Sequence, residues 1–149
     1  MKRQAYMIVT LIMLMIVVGL STAKAQTNGN TELIANIPFE FSVGNKTLPA
    51  GEYAVRCTNP ASDMKVLQLR SSDGRASVMV RTNSVIGKTQ GDAKLVFNRY
   101  GDHYFFAQAW LPADNIGMQA SKSRNEKQIA RELTATRKAR EVVAVSARQ

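Results

Sequence analysis

The chain has 149 residues, 20 basic and 11 acidic side chains, a formal net charge of +9, one cysteine and one histidine. A lone cysteine excludes an intramolecular disulfide, and a lone histidine excludes a metal-binding histidine pair, so stability must come from packing. The charge is uneven: residues 26–121 hold nine basic and eight acidic side chains, whereas residues 122–149 hold eight basic and three acidic.

Lys2 and Arg3 precede an apolar run from Met7 to Leu20 that carries no charge. A helix needs ~20 apolar residues to cross a bilayer core, so the run is too short to span and reads as the h-region of a signal peptide. Ala23-Lys24-Ala25 supplies the small-x-small cleavage pattern, which divides residues 1–25 from a mature chain starting at Gln26. The expected address is periplasmic or secreted, with no transmembrane segment in the mature protein and no nucleic-acid partner.

Residues 26–36 open with a polar, Gly29-containing stretch and are taken as a flexible leader. From Ile37 the period is two: Ile37, Phe39, Phe41 and Val43 share one face, with Pro38, Glu40 and Ser42 on the other. Two turns follow, at Gly44-Asn45-Lys46 and at Leu48-Pro49-Ala50-Gly51, and then Tyr53, Val55 and Cys57 alternate with Ala54 and Arg56. Residues 66–70, 76–82, 95–100 and 104–111 are further strands, with tight-turn chemistry at Asp73-Gly74 and at Tyr100-Gly101-Asp102. Short strands at this spacing predict a mainly β fold over residues 37–121, an antiparallel meander closing as a small sandwich or barrel.

Residues 122–149 form a basic helix and tail. Ser123-Arg124-Asn125-Glu126 is a capping-box pattern, with Ser123 satisfying the Glu126 N–H and Glu126 reaching back, and it predicts one C-terminal helix from Arg124 to Arg140. The helix has only Ile129 and Leu133 as large apolar anchors, and Val142 to Val145 is a short apolar tail. The sheet is therefore expected to hold most of the folding free energy and the tail to be accessory.

Phe41-Ser42-Val43-Gly44, Leu48-Pro49-Ala50-Gly51-Glu52-Tyr53 and the run from Phe97 to Phe105 resemble a recurring pattern in an uncharacterised group of small exported bacterial β-rich proteins. The resemblance implies an envelope or secreted β-domain. It carries no activity and no functional residues.

Chemistry-bearing residues are sparse. Cys57 shares a strand face with Tyr53 and Val55 and reads as a buried, inert thiol, while His103 sits beside a turn. A Cys57–His103 nucleophile and base would need a third, orienting group that the sequence does not indicate. The carboxylates are scattered singly, and no metal site or cofactor motif is present. Two surfaces stand above this background. On the strand at 104–111, Tyr104, Phe106 and Trp110 alternate with Phe105, Ala107, Ala109 and Leu111, so both faces are apolar. Tyr104, Phe106 and Trp110 are either one covered side of a central strand or an aromatic face for a sugar or peptide. The second surface is the basic tail, with Arg124, Lys127, Arg131, Arg137, Lys138 and Arg140, suited to an anionic envelope component. The reading is a non-catalytic envelope structural or binding module, contacting an anionic component, a glycan or another envelope protein. The alternative is a small secreted hydrolase or sugar-active enzyme.

Overall fold

The computed structural model describes residues 31–135 and 139–149; the expected signal segment lies outside them, as do Thr136, Arg137 and Lys138. Ten strands and one helix follow in order: β1 (Glu32–Ile37), β2 (Phe41–Val43), β3 (Lys46–Leu48), β4 (Gly51–Cys57), β5 (Lys65–Ser71), β6 (Ser77–Ile86), β7 (Lys94–Tyr100), β8 (His103–Trp110), β9 (Ile116–Ala120), α1 (Arg124–Ala135) and β10 (Glu141–Ser146). The described chain is thus mainly β with a single C-terminal helix, as the period-two alternation predicts.

Pairing runs β1–β4–β5–β6–β9–β8–β2–β3, with β7 joined to β8 and β10 joined to β7. The hairpins β4–β5–β6 and β7–β8–β9 are the meander expected from the turns. The sheet is nevertheless mixed, because β2 lies parallel to β8 at Ser42 and Phe105. No ladder closes it. A single antiparallel bridge joins its ends: the Ile34 N–H donates to the Arg148 carbonyl at 2.7 Å and the Arg148 N–H to the Ile34 carbonyl at 2.9 Å. The layers face one another, sandwich-like, across one core in which Ile37, Tyr53, Leu69, Leu95 and Phe97 are fully enclosed.

Two of the three segments that carry the resemblance have a physical explanation. In Leu48-Pro49-Ala50-Gly51-Glu52-Tyr53 the Tyr53 hydroxyl donates to the Pro49 carbonyl at 2.8 Å and fastens the turn between β3 and β4. Burial, with nearby Asp73 adding to it, pushes the Tyr53 phenol above its ordinary pKa and keeps it a donor. In the β7–β8 hairpin Gly101 and Asp102 form a two-residue loop, and Gly101 has φ 61°, a conformation that suits glycine at the first loop position. Gly101→Val is expected to destabilise the domain by about 1 kcal/mol or more, measured as a lowered midpoint in urea.

Four expectations are corrected. Residues 32–36, assigned to the leader, belong to β1: Leu33, Ala35 and Ile37 enter the core opposite Val55, Tyr53 and Gly51. The strand drawn from Ile37 to Val43 is two strands, because Pro38 has no N–H to continue the ladder and β1 ends just before it. No strand is expected between residue 111 and the helix, yet Ile116–Ala120 form β9, where Met118 and Ala120 are core residues and Gly117 lies under the Trp110 indole. A Cβ on Gly117 would meet that ring at 2.7 Å, so the glycine is there for close approach. Finally, the tail is not simply a helix that ends at Arg140: the described helix is Arg124–Ala135, Ala139 and Arg140 are not helical, and residues 141–146 form β10, paired with β7 along its whole length.

Candidate functional site

The face that matters is set by one extra residue in β8. Phe97 pairs with Phe106, but the preceding Val96 pairs with Gln108, leaving Ala107 as a bulge. Before the bulge Tyr104 and Phe106 face the main core; after it Ala109 and Leu111 do so, and Gln108 and Trp110 are turned to the outer face. Tyr104, Phe106 and Trp110 therefore do not form one aromatic surface, which removes the shared face that the alternative of a sugar or peptide site on these three requires. Phe106 is 4% exposed and Trp110 6%. Tyr104 is half-buried and already occupied, stacked on Phe39 with ring centroids 3.9 Å apart and an Arg99 guanidinium over its ring at 5.5 Å.

The outer face carries a second, smaller buried layer of Val96, Tyr100, Phe105 and Trp110, outside the main core. α1 stands at the Tyr100 end of it. The Ser123 side chain accepts the Glu126 N–H at 3.1 Å, as the capping pattern predicts. The Glu126 carboxylate does not reach back to Ser123. It is 3% exposed and accepts from Asn98 Nδ2 at 2.8 Å and from the Tyr100 hydroxyl at 3.3 Å, and Lys122 Nζ donates to that same hydroxyl at 3.2 Å. Glu126 is the one fully buried residue of α1, while Ile129 and Leu133 are only half-buried. The helix is fastened by a carboxylate rather than by an apolar stripe.

Beside this cluster the outer face holds a groove of about 140 Å³. Val96, Ala107 and Val142 give it an apolar floor; Gln108, Gln119, Lys122 and Arg140 give it a polar lining. The amides are ordered: the Trp110 Nε1–H donates to Gln108 Oε1 at 3.0 Å, and Gln108 Nε2 donates to Gln119 Oε1 at 3.3 Å.

Among the tail residues singled out from sequence, Arg124, Lys127, Arg131 and Arg140 are exposed, the first three on α1 and the last just before β10. Arg137 and Lys138 lie outside the described residues. The ion pairs of the described residues all belong to the sheet: Arg56–Glu32, Arg75–Asp73, Arg99–Glu141 and Arg148–Glu52. Arg56 accordingly holds the Glu32 carboxyl below its ordinary pKa, and Ser71, then the Arg75 N–H, hold that of Asp73 below its own. On α1 the acidic Glu132 accepts from Gln128, and among the described residues no ion pair involves Arg124, Lys127 or Arg131.

Cys57 has the expected register with Tyr53 and Val55, but it is half-buried rather than enclosed. It borders an apolar cavity of about 70 Å³ shared with Leu33, Leu67, Leu111 and Met118. His103 is exposed at the β7–β8 turn and is not among the residues around that cavity. The structure thus does not bring the two together. Lys122 belongs to the basic tail and Glu126 to the capping pattern, whereas Asn98, Gln108 and Gln119 carry no site signal in the sequence.

No protein-family model matches the chain, and no curated protein or solved structure is significantly similar to it. Among the described residues no helix is long and apolar enough to cross a membrane.

Proposed function

We propose that the chain is an exported, non-catalytic binding module of the bacterial envelope, whose contact surface is α1 with the groove at its foot. The observation that carries this reading is the separation of charge. Residues 26–121 hold nine basic and eight acidic side chains, whereas residues 122–149 hold eight and three, and of the latter Lys122, Arg124, Lys127, Arg131 and Arg140 are exposed without an ion pair among the described residues. A cluster of unmatched cations creates a positive potential that attracts anionic polymers or head groups. The Lys2–Leu20 signal pattern supports export, which makes an envelope component a more natural partner than nucleic acid.

The expected result is that the protein co-sediments with anionic envelope material at low ionic strength and is released as salt rises, because exposed charges are screened beyond ~8 Å at physiological salt. The triple variant Arg124→Glu, Lys127→Glu, Arg131→Glu should lose this binding while keeping its melting behaviour, since all three side chains are exposed. Equal binding of wild type and variant, or equal binding to neutral material, would remove the reading.

A further inference from the structure

The hydrogen bonds around the groove have a direction. An indole N–H can only donate, so the Trp110 bond fixes the Gln108 amide with its oxygen toward Trp110 and its nitrogen toward Gln119. Gln119 receives that hydrogen on its own oxygen, which leaves the Gln119 Nε2 hydrogens without a partner among the described residues. Lys122 spends one donor on the Tyr100 hydroxyl and keeps the others. Arg140, on the groove lining, makes no hydrogen bond or ion pair among the described residues. The polar lining is thus an array of donors with two positive charges, and the acceptor left beside it is Asn98 Oδ1, whose amide nitrogen is committed to Glu126.

A bare anion would use the donors but neither the acceptor nor the apolar floor. A sugar acid uses all three. Its carboxylate matches Lys122 and Arg140, a ring hydroxyl accepts from Gln119 and donates to Asn98 Oδ1, and the C–H face of the ring rests on Val96, Ala107 and Val142. The volume of about 140 Å³ is well below the ~300 to 1,000 Å³ of a pocket that swallows a whole drug-sized ligand, and suits one residue of a longer chain lying across the surface. Resting on the envelope-binding reading above, we infer that this groove is a subsite for one uronic-acid residue of an acidic glycan.

Trp110 is the only tryptophan of the chain and heads the amide relay, so its fluorescence reports on the groove. The full chain is titrated with galacturonic acid trimer, with a neutral glucose trimer and with inorganic phosphate. A saturable change with the galacturonate trimer alone is the expected result, weakened about tenfold or more by Gln119→Leu, which removes a hydrogen-bond donor, and by Arg140→Gln, which removes the charge that pairs with the carboxylate. Equal saturation by phosphate would mean a simple anion site, and response to the neutral trimer would mean that charge is not read; either overturns the proposal. So does galacturonate binding that both groove variants leave unchanged. Should the groove variants have no effect while the helix triple variant still abolishes envelope binding, the subsite fails and the broader reading stands. Loss of neither would bring down both.

Discussion

Deleting residues 139–149 is expected to abolish the cooperative unfolding of the domain. The segment reads as accessory in sequence, yet β10 pairs residue for residue with β7 from Glu141–Arg99 to Ser146–Lys94. Val143, Val145 and Ala147 share the inward side of this strand, and two of them pack on the main core. Arg148 then ties β1 through its backbone bridge and reaches Glu52 with its guanidinium at 3.0 Å. Without β10, the unpaired edge of β7 would present backbone donors and acceptors next to Leu95 and Phe97, a template for pairing between chains. We expect the truncated protein to lose most of the ~5 to 15 kcal/mol typical of a domain and to elute as aggregate. Circular dichroism during a thermal melt, together with size-exclusion chromatography, reads both effects. A cooperative β-type melt from a monomeric truncation would place β10 outside the folding unit.

Glu126→Ala should be the most damaging single substitution on α1, lowering stability by ~2 to 4 kcal/mol in urea unfolding. It leaves Asn98 Nδ2 and the Tyr100 hydroxyl, both buried, without their acceptor, and it removes the one enclosed side chain of the helix. Glu126→Gln retains a carbonyl oxygen at the same place and should cost ~1 kcal/mol or less. Asn98→Ala combined with Glu126→Ala should be markedly less than additive, because each single change already breaks the shared bond. Equal losses for the alanine and glutamine variants would mean that the helix is held by something other than this acceptor.

Local chemistry and long-range pairing divide what the sequence reveals. Alternation at Tyr53, Val55 and Cys57, or glycine in the Gly101-Asp102 loop, is decided within a few residues, and both are found where expected. The β8 bulge is not visible in the alternation. Period two places Tyr104, Phe106 and Trp110 on one side, and only the register that β8 takes against its hairpin partner β7 inserts Ala107 and reverses the face halfway along. The same holds for β1 and β9. Ala35 is small, Ile34 blurs the alternation and Gly117 resembles a loop signal, until the strands and the Trp110 ring that they serve are in place. The groove escaped notice because its amides come from β8 and β9, its cations from either side of α1, and its floor in part from β10.

The Ile34–Arg148 bridge also fixes an order of events. A chain that emerges N-terminus first can pair β1, β4, β5 and β6 early, but the second edge of β7 must wait for β10, and the second edge of β1 must wait for Arg148. Contacts between such distant parts of a chain are slow to form, because the entropy of closing the loop is lost before any contact is gained. Completion of the fold is therefore tied to delivery of residues 141–148. Until they arrive the sheet stays open between β7 and β1, and it locks only once they are in place.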